Sequence, residues 1–437
     1  MSTAAPTTRT APAPPKRPSR ALLWFAVIGA ILLLLALGLR TTLQPERVTR
    51  LILDRAGRAL GLEITAAGIG EYRLRGRPTL VVRDVIARAP GAAEPVLRAK
   101  RIHLSLPWST LRARGRDLTV DRVELDAPVL HLQALQDWLD SRPRIESRIP
   151  TLTDGLHVTD GTLLAGSWQL QDLRFDIPVL RAGQRLQLRP LRGRYVAGAT
   201  VADFDLAATL SEPAKRTALG VAGTTTIERR PAEGTPWRMP ADVVLGGMLH
   251  LQDGWRIEGA KLSMAARYLA VDTDQPFQLG LYGPLRYRSG RLSVIPMAVS
   301  VRGEGLLPSF DAHGGMASSR LLELQLKGVL PQWLESWPEL PAPLDDSRSP
   351  LPFELDYRGR TDLSDIAHLK LLRDRTRFDG RFRLPEVRQW LDTMRTRSPL
   401  PPMDGTISTP LLRIAGAELH GVELQLDDPG IAADDAR

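Results

Sequence analysis

Any chemistry this chain performs would draw first on seven histidines: His103, His131, His157, His250, His313, His368 and His420. Zinc or a hydrolytic centre needs such residues at short, fixed spacings, and no HExxH or paired-His pattern occurs. The carboxylate runs LDD (344 to 346) and TDLSD (361 to 365) could hold a cation. They sit in Pro/Ser-rich connectors without the residue order of a calcium loop, so they read as solvated turns. There is no GxSxG elbow, no GxxxxGK[ST] loop, and no GxGxxG after a strand; Gly68 and Gly70 in AGIGEYR match only part of one. Cysteine is absent, which removes disulfides, thiolate metal sites and a thiol nucleophile. The expectation is a non-enzyme with no catalytic residues, no cofactor and no metal.

What the residues must instead build is legible from composition. Of 437 residues, 43% are hydrophobic but only 5% aromatic, and 36 Gly and 35 Pro are spread along the chain. That favours many short strands and turns over long helices. The formal charge of +9 invites a nucleic-acid reading. However, the basic residues are nearly all Arg, form no run of five or six, and alternate with acids as in RVELD and RDRTRFDGR. A solvated strand face is the better account, and no nucleic-acid partner is expected.

Ala21 to Leu39, ALLWFAVIGAILLLLALGL, carries no charge and lies between Arg20 and Arg40. As a helix it covers roughly 28 Å, close to the thickness of a bilayer's hydrocarbon. A cleaved signal would have a shorter apolar core and a small-x-small cleavage site, which LGLRTTLQP does not supply. The segment therefore predicts a retained single-pass anchor. Residues 1–20 form a basic, Pro/Ala/Thr-rich tail without acids, expected to be disordered and cytoplasmic, with the C-terminal part across the membrane. Residues 40–61 predict a juxtamembrane amphipathic helix ended by Gly57 or Gly61.

Beyond Gly61 the period changes to two. Ile102, Leu104 and Leu106 share one face of a strand; Leu118 and Val120 share another. The phase slips at Asp121 and Arg122 before Val123 and Leu125 resume, so a bulge or turn there keeps the apolar side chains together. These seven are the candidate apolar-surface residues. Strand patterns continue through a middle region (146–338), a Pro-rich linker (339–352) and a C-terminal region (353–428), with a disordered tail at 429–437. QDWLDS, QWLES and QWLDT recur (136 to 141, 332 to 336, 389 to 393). They put Trp138, Trp333 and Trp390 on short helices that anchor against the sheet.

The anchor and the segments GRALGLEITAAG, PTLVVRDVIARAP, LRAKRIHLSLPWSTL, LTVDRVELDAPVLHL and PPMDGTISTPLLRIAGAELHGVELQLDD resemble the AsmA-like family of Gram-negative envelopes. Those are inner-membrane-anchored periplasmic proteins related to TamB and YhdP. The resemblance covers 20 to 145 (its N-terminal β region being 62–145) and 400 to 428. It implies a mainly β protein: an N-terminal transmembrane helix, then an elongated, curved, antiparallel-rich sheet shaped as a trough, with a few short helices. It also implies an inner-membrane protein with its C-terminal region in the periplasm. The implied partner is membrane phospholipid, whose acyl chains the groove would shield during lipid transport or outer-membrane biogenesis. The alternative expectation is a periplasmic scaffold that assists outer-membrane protein assembly or secretion through a protein partner.

Overall fold

The computed structural model describes residues 53, 57–58, 61–73, 76–112, 119–141, 151–231, 235–251, 255–271, 273–288, 290–305, 307–334, 337, 347–393, 402–414 and 417–432. The expected tail, membrane anchor and most of the juxtamembrane helix lie outside them, as do Leu118 and most of the Pro-rich linker. Among the described residues no helix is long and apolar enough to cross a membrane.

The described chain is mainly β. Its strands are β1 (Glu63–Arg73), β2 (Thr79–Arg88), β3 (Leu97–Ser105), β4 (Thr119–Val120), β5 (Arg122–Asp126), β6 (Val129–His131), β7 (Thr151–Leu152) and β8 (Leu156–Ala165). They continue as β9 (Trp168–Ile177), β10 (Leu186–Ala197), β11 (Thr200–Leu210), β12 (Arg216–Arg229), β13 (Trp237–His250), β14 (Trp255–Ala270), β15 (Thr273–Arg288) and β16 (Arg291–Gly303). The last are β17 (Phe310–Ser318), β18 (Leu322–Leu330), β19 (Leu351–Gly359), β20 (Ile366–Arg373), β21 (Thr376–Arg383), β22 (Met403–Ile414) and β23 (Ala417–Leu426). Twenty-one of them form one large curved sheet, and β4 with β7 forms a small parallel pair.

Pairing follows the chain. β1, β2 and β3 form a meander. β5 and β6 together take the next place, antiparallel to β3 and parallel to β8. A parallel step cannot be made by a tight turn, and the connection here includes the helix Leu132–Asp140 and β7. From β8 to β23 every consecutive pair is antiparallel. The sheet therefore runs unbroken through the middle region and across the Pro-rich connection, because β18 pairs directly with β19.

Bulges account for local bending. Register shifts fall between Gly246 and Met248, Ile257 and Ala260, Tyr282 and Leu285, and Val294 and Met297, on neighbouring strands. An extra residue bends its strand and increases its twist, so bulges on successive strands fold the sheet along a line. Gly259 adopts a left-handed φ of 58° there, which glycine reaches without steric cost. A Cβ on Gly283 would sit 2.4 Å from the Pro296 carbonyl oxygen. Pro296 itself falls where the ladder is interrupted, so its missing N–H costs no ladder bond.

Two clusters of buried hydrophobes sit at separate places in the sheet, and further residues, among them Val158, Leu186, Ala208, Ala241, Ile257 and Ala266, are buried outside both. One holds Leu80, Val82 and Val85, with Leu53, Ile64, Ala66 and Ile102 against them. The other holds Val294, Met297, Ala312, Leu326, Leu330, Leu351 and Phe353, covered in part by Trp333 and Trp337. Neither includes a residue of β8–β14.

Trp138 and Trp390 lie on the short helices Leu132–Asp140 and Leu384–Thr393. Trp333 does not lie on a helix, contrary to the sequence expectation. Pro331 and Pro338 bound its segment, and a residue before proline is pushed out of the helical region. The segment turns instead, with the Trp337 N–H donating to the Leu334 carbonyl, and the Trp333 and Trp337 rings meet edge-to-face at 4.8 Å. The start of the expected C-terminal tail is also ordered: Pro429–Ala432 is a helical turn whose Ile431 is fully buried.

Candidate functional site: an apolar face along the sheet

Cross-strand register determines what the alternation builds, because residues directly opposite each other share a face. Val82 lies opposite Ile102, Ile102 opposite Leu125, Leu125 opposite Val158, and Val158 opposite Phe175. The row continues through Leu191, Leu206, Gly223, Val243, Met264, Leu279 and Val301 to Phe310 on β17. Two residues along each strand, or three across the register shift in β10, a parallel row on the same face starts at Leu188 and Ala208 and passes Val221, Leu245, Leu262, Leu281 and Val299. It goes on through Ala312, Gly328, Phe353, Leu371, Phe378 and Ile407 to Leu424 on β23. Every member of both rows is apolar, and the two overlap from β10 to β17. Most are half-buried, while the residues between them are largely exposed.

Of the seven residues singled out from the sequence, Ile102, Leu104, Val123 and Leu125 belong to this face: Leu104 stands opposite Val123, and Ile102 opposite Leu125. Leu106 follows β3, half-buried, with its N–H donating to the Pro78 carbonyl. Val120 is drawn off into the small parallel pair opposite Leu152. The phase slip is a strand break at Asp121, a buried residue whose carboxylate accepts from the Thr153 hydroxyl at 2.9 Å. Leu118 lies outside the described residues. Sequence reasoning missed Phe175, Leu191, Leu206, Val243, Met264 and Leu279, which line the stretch that neither core cluster covers.

Aromatic pairs mark both margins of this face. Trp168 with Tyr195 (5.8 Å between ring centroids) and Trp237 with Tyr268 (5.7 Å) stand at one margin; Trp255 stacks on Tyr287 (5.3 Å) at the other. Such rings, apolar with one polar tip, suit a boundary between hydrocarbon and water. Burial raises the pKa of the Tyr195 phenol, in keeping with its place against the apolar face.

The opposite face is laced by cross-strand ion pairs, including Arg192 with Asp205 (2.8 Å), Arg194 with Asp203 (2.7 Å) and Lys327 with Glu354 (2.8 Å). Exposed pairs of this kind contribute at most about 1 kcal/mol each, so they keep the face wet more than they stabilise it. Two shallow depressions, of about 550 and 710 Å³, lie on this polar face, over β12–β16 and β17–β22. Six histidines each stand near a single acid, as in His157 with Asp176 (2.7 Å) and His250 with Glu258 (3.0 Å). No group of three potential metal ligands occurs among the described residues.

Among the carboxylates held below their usual pKa are Asp126, through its hydrogen bond from Arg101, and Asp379, through its hydrogen bond with His368. A carboxylate whose pKa is lowered by folding adds stability above its unfolded value and loses it as pH falls through the folded one. The urea midpoint is expected to drop as pH passes below the ordinary carboxylate range, and an Asp126→Asn, Asp379→Asn chain to drop less. Equal acid sensitivity in both chains contradicts this assignment.

No protein family, curated protein or solved structure matches the chain.

Proposed function

We propose that the apolar face is a groove for lipid acyl chains, and that the protein shields phospholipid in transit through the cell envelope. The observation that carries this reading is the pair of apolar rows, which overlap and together extend from β2 to β23 while β8–β14 contribute to no core cluster. A long apolar surface without a protein cover is normally a binding surface. The resemblance to AsmA-like proteins, the uncharged segment Ala21 to Leu39 and the aromatic margins support the same reading. On it the chain is anchored in the inner membrane with its sheet in the periplasm.

Energetics explain how a groove works without a reaction. Moving a phospholipid through water exposes some thirty methylenes at roughly 0.8 kcal/mol each, an upper-bound barrier on the order of 20 kcal/mol. A continuous apolar lining removes most of that barrier, and the polar face keeps the sheet in solution. With strands spaced at about 4.8 Å, the 21-stranded sheet reaches on the order of 100 Å along its curve.

The test is a photoreactive fatty acyl phospholipid offered to the full chain in mild detergent. Crosslinks located to single residues by fragmentation of the labelled peptides are expected at Leu206, Met264 and Leu279, with none on the alternating polar face at Asp205, Ala265 or Gln278. Uniform labelling of both faces, or none, rejects the groove.

A further inference from the structure

Resting on that reading, we infer that the lipid's phosphate is held at one margin of the groove, where β12–β15 end in a row of cations. Arg216 lies opposite His250, His250 opposite Arg256, and Arg256 opposite Arg286. Arg288, two residues on, faces Arg291 across the hairpin. Like charges directly opposite each other destabilise a sheet, and here Arg256 faces Arg286 and Arg288 faces Arg291 on three neighbouring strands. Glu258 pairs with His250, and Glu323 with Arg291. Arg216, Arg256, Arg286 and Arg288 are exposed and make no ion pair among the described residues.

The other margin is built differently. There Arg267 pairs with Asp274, Arg302 with Asp311, and Arg230 and Arg238 both with Glu228. Both margins carry Trp–Tyr pairs on the apolar side, but among the described residues only the margin with Trp255 and Tyr287 has uncompensated guanidinium groups at the adjacent positions Arg256, Arg286 and Arg288. Guanidinium matches phosphate in charge and in its paired donors. A phosphate there relieves the repulsion between strands while its acyl chains pass the stacked rings onto the half-buried Leu245 and Leu262 of the apolar face. Headgroups thus leave the groove on one side, and the site takes phosphate-bearing, net anionic lipid.

The test uses the full chain in a non-ionic detergent and measures retention of radiolabelled phosphatidylglycerol and of diacylglycerol with the same acyl chains. Arg286→Glu sets an acid opposite Arg256, so it should melt no lower than the natural chain. It should retain phosphatidylglycerol about tenfold less well, with diacylglycerol retention unchanged. Arg288→Gln should give a smaller loss of the same kind, and Arg267→Gln at the other margin none. Undiminished phosphatidylglycerol retention by Arg286→Glu, with diacylglycerol still bound, overturns the phosphate site alone. Failure of the natural chain to hold diacylglycerol removes the groove and the phosphate site together. Inorganic phosphate in excess should leave phosphatidylglycerol bound; complete displacement would mark a free-phosphate site and overturn the lipid assignment.

Discussion

A chain carrying Met264→Arg is expected to move phospholipid between vesicles about a hundredfold more slowly than the natural chain. Met264 sits on β14 between Val243 and Leu279, in the stretch of the apolar face that belongs to neither core cluster. A guanidinium within hydrocarbon costs about 2.5–3.5 kcal/mol, which corresponds to roughly a hundredfold. The fold tolerates the change, because Met264 is only half-buried and a long arginine can lift its charged end toward water. Ala265→Arg is the matched control: one residue along, exposed on the polar face, between Asp242 and Gln278. It should transfer lipid at the natural rate. Donor vesicles holding the reconstituted full chain, labelled lipid and protein-free acceptors give the measurement. Equal slowing by both substitutions, or by neither, contradicts a one-sided apolar path.

Where sequence and structure part company, the reason lies in distance along the chain. The alternation of Ile102, Leu104, Val123 and Leu125 is local and legible, since each strand's apolar side follows from period two. That Leu206 stands beside Leu191 and Gly223 depends on register set by turns and bulges, which residue types alone do not fix. Gly283 and Pro296 show the difficulty: read locally they break strands, yet in the sheet they are where neighbouring strands bend together. Val120 reads as part of the same face as Val123, but a break at buried Asp121 carries it to Leu152. The cation row was hidden for the same reason. Arg216, Arg256 and Arg286 are far apart in sequence, and only pairing brings their strand ends side by side. The motif around Trp333 predicts a helix because it matches those of Trp138 and Trp390, while the flanking prolines set a different backbone.

Locality also governs stability. Each strand of this sheet touches mainly the strands beside it, as in a repeat protein whose stability is a sum of neighbouring contacts. Phe353 is the position at which to test that. It is buried at 8% exposure, stands opposite Gly328 and Leu371, and meets Phe310 edge-to-face at 5.5 Å. Gly328 is matched to it: a Cβ there would come within 2.8 Å of the Phe353 ring. Removing the ring by Phe353→Ala is expected to cost about 3–5 kcal/mol, through lost burial and an unfilled cavity. Hydrogen exchange should show the loss in β16–β20, where the cluster of Val294, Met297, Leu326 and Leu351 is seated. Amides of β2 and β3, around Leu80, Val82 and Val85, should keep their protection, because no described side chain joins the two clusters. A uniform fall in protection across both regions would mean that the sheet unfolds as one cooperative body, and the neighbour-by-neighbour account would fail.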